Sequence, residues 1–89
     1  GLTRAGALEA ALHGVRVNAV LPGAVETPML VERGFTANPG YREFVSKVHP
    51  LGRIARADEI AEAAAWLLSS KSSFVTGHCL AVDGGMSVQ

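Results

Sequence analysis

Charge of either sign is sparse in this 89-residue sequence and it balances, with eight lysines and arginines against eight aspartates and glutamates. The basic excess with which nucleic-acid-binding proteins attract phosphate is absent, so no nucleic-acid partner is expected. Cysteine is nearly missing as well. Cys79 alone permits neither an internal disulfide nor a zinc site, and with no sign of an oxidising compartment a cytoplasmic location is expected. Long apolar runs are lacking too: Ala63 to Leu68 falls far short of the about 20 residues that cross a bilayer, so no membrane partner is expected. No initiator methionine and no basic-then-apolar leader precede the first helical pattern, and the sequence reads as a piece of a longer chain. What is present is apolar bulk: a 48% hydrophobic content suits a packed core and excludes a disordered tail.

Leu2, Ala5, Leu8, Ala11 and Leu12 recur at helical spacing and predict a helix with one apolar stripe, stopped by His13 and Gly14. Val15 to Leu21 is rich in β-branched residues and predicts a strand that ends at Pro22-Gly23. Its apolar positions fall on both faces towards its end, as in a buried parallel strand. Residues 27 to 50 lack a sustained period and hold Pro28, Gly34, Pro39, Gly40 and Pro50, which predicts a long excursion with short helices over Met29 to Arg33 and Tyr41 to Val48. Ala57 to Ser70 predicts a helix with Ile60, Ala61, Ala64, Leu67 and Leu68 on one stripe and carboxylates in its first turn. His78 to Val82 predicts a short strand stopped by Asp83-Gly84-Gly85. Two strands joined through a helix imply parallel neighbours, and the fold class is α/β. Two parallel strands alone make no stable sheet, so further strands are expected upstream.

Gly1-Leu2-Thr3-Arg4, Val15-Arg16-Val17-Asn18-Ala19-Val20, Pro22-Gly23 with Thr27, His49-Pro50-Leu51-Gly52-Arg53, Asp58-Glu59-Ile60-Ala61 and Val82-Asp83-Gly84-Gly85 stand in a characteristic order. In these stretches the sequence resembles the short-chain dehydrogenase/reductase family, over essentially its whole length. The resemblance implies the C-terminal portion of a Rossmann-type doubly wound parallel sheet: its last two strands, flanking helices and a substrate loop over about 27–50. Residues 1–89 then form the C-terminal fragment of a single NAD(P)-binding domain.

The parent protein implied is an oxidoreductase that moves a hydride between the nicotinamide of NAD or NADP and a secondary alcohol or ketone. It is also expected to assemble as a homo-oligomer, a dimer or tetramer. The alternative is a truncated, non-catalytic fragment that acts at most as an interaction module. The family's glycine-rich pyrophosphate turn does not occur here, and neither does its catalytic serine or its Tyr-x-x-x-Lys pair. Tyr41, the one tyrosine, has Val45 four residues on, so no catalytic residue is assigned and the isolated segment is expected to be inactive.

Pro22, Gly23, Val25 and Thr27 follow the C-terminal end of a strand, where open α/β sheets bind ligands. On their own they also suit an ordinary Pro-Gly turn. The resemblance implies that they meet the nicotinamide half of the cofactor, with backbone groups near Val25 on the carboxamide and the Thr27 hydroxyl adding a hydrogen bond. Met29 and Leu30 suit an apolar substrate-loop lining or a satellite helix packed on the core. Arg53 and Arg56 beside Asp58 and Glu59 read as solvated ion pairs rather than a phosphate site. His13, His49 and His78 are too scattered for a metal set, and no metal is expected. Cys79 reads as a small buried hydrophobe. Ala61, Ala64, Ala65 and Leu68 suit either core packing or a contact between subunits.

Overall fold

The computed structural model describes residues 1–35 and 37–89. Helix α1 covers Leu2–Ala11. It stops where the N–H of Gly14, at φ +70°, bonds the Ala11 carbonyl and the Val15 N–H bonds that of Ala10, a left-handed ending that glycine adopts without Cβ strain. The apolar stripe of α1 is not what packs. Among the described residues Leu2, Leu8 and Leu12 are exposed, and Ala7 alone is buried, against Gly77, where a Cβ would stand 3.5 Å from that of Ala7. Small residues permit that close approach; the leucines point elsewhere.

Strand β1 is Ala19–Pro22 and pairs in parallel with a later strand, Cys79–Val82, in the register Ala19↔Cys79 to Pro22↔Val82. The strand expected from Val15 is thus shorter, because residues 16 to 18 are held by other partners. The Arg16 guanidinium donates to the Ser69 and Val75 carbonyls and to Ser72 Oγ. The Val17 N–H donates to Thr76 Oγ1, and the Asn18 amide bridges the Val75 carbonyl and the His78 N–H. The Val17 N–H thus meets a side chain where a ladder partner would otherwise stand, while its carbonyl accepts the Gly77 N–H at 2.8 Å.

A second parallel pair, unanticipated from the sequence, joins β2 (Val25–Glu26) to β3 (Ala55–Arg56). Between them lie α2 (Pro28–Glu32) and α3 (Pro39–Val48), close to the two short helices expected there. Both start alike: Thr27 Oγ1 accepts the Leu30 N–H and Asn38 Oδ1 accepts the Tyr41 N–H, each cap followed by proline at the first helical position. Helix α4 (Ala57–Leu68) packs on β1, with Val20, Ala64 and Leu67 lining one shared crevice. Of its expected stripe Leu67 is buried and Ile60 and Ala64 are half-buried, whereas Ala61 and Leu68 are exposed.

The final strand, Cys79–Val82, is β4. Burial alternates along it, with Leu80 and Val82 half-covered and Cys79 and Ala81 exposed. Cys79 is therefore an exposed free thiol, not the buried hydrophobe expected, because it lies on the face of β4 that no described element covers. No described helix is long and apolar enough to cross a membrane.

Candidate functional site

β1 and β4 end side by side, and the chain leaves β1 through Pro22-Gly23-Ala24 into β2. The Gly23 N–H bonds the Val82 carbonyl at 3.1 Å, which ties the turn to the end of β4. Position 23 requires glycine: a Cβ there would stand 2.6 Å from His49 Nε2 and 3.0 Å from the Asp83 Cα. One residue on, the Ala24 N–H donates to His49 Nε2 at 3.1 Å, and the Ala24 carbonyl accepts the Ala55 N–H at 2.9 Å.

Because the Ala24 carbonyl points to β3, the alternation of a parallel ladder turns the N–H and C=O of Val25 to the opposite edge of β2. Among the described residues β2 pairs with β3 alone, so that edge presents one donor and one acceptor side by side. Thr27 follows in extended conformation at the head of α2, its Oγ1 accepting the Leu30 N–H at 3.3 Å. That bond uses a lone pair; the hydroxyl proton has no acceptor among the described residues. Met29 is exposed and Leu30 half-buried in the first turn of α2. Pro22, Gly23, Val25, Thr27, Met29 and Leu30 thus follow one another from the C-terminal end of β1 into the first turn of α2; of the six, Gly23 lines the cavity it shares with His49, and Thr27 lines a separate one.

His49 is the residue that sequence reasoning quoted in a family stretch and weighed as a metal ligand, without assigning it a site role. It caps α3, is 3% exposed, and places Nδ1 2.9 Å from the Val45 carbonyl while Nε2 accepts from Ala24. Its signal was its place in His49-Pro50-Leu51-Gly52-Arg53, whose Leu51 N–H bonds the Gly84 carbonyl and closes the ring of contacts between excursion, β1 and β4. His49, Gly23, Ala24, Arg53, Glu59 and Asp83 are among the residues that bound a cavity of about 270 Å³.

Two arrangements of charge surround it. Arg53 holds Glu59 through two parallel hydrogen bonds of 2.7 and 2.8 Å, and the Arg56 N–H adds a third to the same carboxylate at 2.9 Å. The Arg53 hydrogen bond, followed by that of the Arg56 backbone, draws Glu59 down to about 2, and the same pair raises Arg53. Asp83 lies below its ordinary range, first through the Ser87 side chain and, against the cost of desolvation, through the N–H groups of Ser87 and Gly85. Arg53 and Glu59 thus form the ion pair expected, as do Arg56 and Asp58 at 3.1 Å. Tyr41 packs edge-on against Phe35 at 5.6 Å.

Residues 1–87 match the family described as enoyl-(acyl carrier protein) reductase. The chain is 51% identical over 87 residues to 2,5-dichloro-2,5-cyclohexadiene-1,4-diol dehydrogenase of Sphingobium indicum, a match that covers 98% of this chain and 34% of the relative. Among solved structures it superposes with TM-score 0.91 and 26% identity on 4-hydroxyisoleucine dehydrogenase complexed with NADH, over 100% of this chain and 36% of that one. It likewise resembles an Agrobacterium tumefaciens protein assigned as a 2-deoxy-D-gluconate 3-dehydrogenase with bound NADP, at TM-score 0.88 and 35% identity, over 100% of this chain and 35% of that one. The chain spans about a third of the length of the curated relatives it matches.

Proposed function

Since this chain belongs to the short-chain dehydrogenase/reductase family of oxidoreductases, we propose that it supplies the nicotinamide-side turn and the substrate loop of an NAD(P)-dependent enzyme. Its fold is α/β, the C-terminal part of a Rossmann-type parallel sheet. The reaction is hydride transfer between the cofactor's nicotinamide and a secondary alcohol or ketone of small size.

The observation that carries this reading is the free edge of β2. A nicotinamide carboxamide has an NH₂ group that donates and a carbonyl that accepts, and the C=O and N–H of Val25 offer the complementary pair. The Thr27 hydroxyl, its proton uncommitted, stands two residues further on to donate one more hydrogen bond. Gly23 brings the backbone close without a side chain in the way. Bound at this rim, the dinucleotide supplies the hydride donor or acceptor; Pro22, Gly23, Val25 and Thr27 orient its nicotinamide end. Met29 and Leu30 begin the loop over about 27–50 that lines the substrate side and excludes water.

The proton-transferring groups lie outside these residues, in the part of the longer protein that carries the pyrophosphate turn. That protein is a cytoplasmic homo-oligomer, and the 89-residue segment alone does not turn over. Coenzyme titration of the full-length protein, followed by turnover on a panel of secondary alcohols and ketones, tests the reading. NAD(H)- or NADP(H)-dependent turnover is expected; no nicotinamide-dependent reaction with any member would overturn it in favour of a non-catalytic role.

A further inference from the structure

The histidine behind the turn is not accounted for by hydride chemistry, yet every polar atom of its ring is used. A backbone N–H only donates, so His49 Nε2, 3.1 Å from the Ala24 nitrogen, carries a lone pair. The ring proton then sits on Nδ1 and is donated to the Val45 carbonyl at 2.9 Å. The two partners select one neutral tautomer of a side chain that is 3% exposed. Through it the last turn of α3 is bonded to the residue directly before Val25. Gly23 is moulded on the same ring, with no room for a Cβ beside Nε2.

We propose that His49 is a positioning residue for the cofactor turn: its imidazole fixes the Ala24 amide, and with it the direction in which the Val25 N–H and C=O face. The inference rests on the proposed function for its consequence in coenzyme binding; the lock itself is a property of the fold. An apolar ring of equal size would fill the space but leave the half-buried Ala24 N–H without this acceptor and the turn without a fixed orientation. The ionisable groups that share the cavity with the ring are Arg53, Glu59 and Asp83. Arg53 and Glu59 neutralise each other, and Asp83 is engaged by the Gly85 and Ser87 N–H groups, so the tautomer is set by Ala24 and Val45.

The test uses the full-length protein and two substitutions of opposite reach. In His49→Gln the side-chain oxygen extends to the place of Nε2 and accepts from Ala24. In His49→Asn the amide reaches only the place of Nδ1, so Val45 is served and Ala24 is not. Asn is expected to raise the coenzyme KM roughly tenfold with a smaller change in kcat, in line with the loss of one part-buried hydrogen bond from the backbone; Gln is expected to recover most of that loss. Amide exchange at Ala24 should accelerate in Asn and remain slow in Gln, and imidazole nitrogen NMR should show the Nδ1–H tautomer. Equal coenzyme KM in Asn, Gln and wild type, with only the melting temperature lowered, would reduce His49 to packing and overturn the proposal. An Nε2-protonated ring, or unchanged Ala24 exchange in Asn, would also overturn it. Absence of dinucleotide binding in the wild type would sink the proposed function instead, while Ala24 exchange still decides the lock.

Discussion

Arg16 Nη1 donates to Ser72 Oγ at 3.1 Å across 56 residues of chain, and Ser72 is the most deeply buried polar side chain described. The serine hydroxyl also lies 2.8 and 2.9 Å from the Trp66 and Leu67 carbonyls at the end of α4. One buried hydroxyl thus joins the approach to β1, the C-terminus of α4 and the segment leading to β4.

Arg16→Ala should therefore destabilise the full-length protein by about 1.5–3 kcal/mol, the range for losing hydrogen bonds from a charged donor. Arg16→Lys should recover only part of this, since one ammonium cannot reproduce the fork that meets Ser69, Ser72 and Val75. Chemical denaturation reads the effect, and a lysine variant as stable as wild type would refute the forked geometry.

Acid should act on the Arg53–Glu59 pair with a definite sign. Glu59 has its carboxyl lowered to about 2, so its contribution is complete above the ordinary value of 4.5 and is lost as the pH falls towards 2. Melting temperatures between pH 6 and 3 are expected to fall more steeply for wild type than for Glu59→Gln. The variant keeps a residual slope from Asp83, which shifts in the same direction. Parallel curves would show that the pair adds nothing to stability.

Gly23→Ala is the severe change at the rim. The new methyl would meet His49 Nε2 at 2.6 Å and the Asp83 backbone at 3.0 Å, so both the ring and the end of β4 must shift. A cost of about 1–3 kcal/mol in stability is expected, together with weakened coenzyme binding. A dissociation constant equal to that of wild type in a folded Ala variant would show that the turn is not at the coenzyme.

Thr27 separates two roles. Thr27→Val removes the cap on the Leu30 N–H, costing about 1 kcal/mol, and also removes the hydroxyl proposed to meet the cofactor. Thr27→Ser keeps both. Coenzyme KM should rise in Val and stay near wild type in Ser; a Val variant with lowered stability but unchanged KM would leave Thr27 as a cap alone.

Much of this architecture was legible from local chemistry. The stop of α1 at Gly14 and the place of α4 follow from residues next to one another in the chain, and so do the short helices of the excursion. Burial was harder to read. The spacing of Leu2, Leu8 and Leu12 says that they share a face of α1 and nothing of what covers it, and the same holds for Cys79 on β4. The strand expected from Val15 began too early because its competing partners, Ser72, Val75 and Thr76, lie far along the chain. β2 and β3 are two residues each, too short for any period to register. At the rim, Pro22, Gly23, Val25 and Thr27 drew attention by type and by resemblance. His49, although part of a resembling stretch, was assigned no role there, since its role exists only once Ala24, 25 residues back, meets its ring.

The parallel register of Ala19 with Cys79 also sets an order of events. α1 and α4 form from neighbouring residues, whereas the first bond of the β1–β4 ladder must close a long loop and lose its entropy before anything is gained. Since the Gly23 N–H rests on the Val82 carbonyl, the rim takes its final shape only after β4 has docked. On the ribosome, a nascent chain would therefore lack the dinucleotide edge proposed above until residue 82 had cleared the exit tunnel, however early the rest of the sheet had assembled.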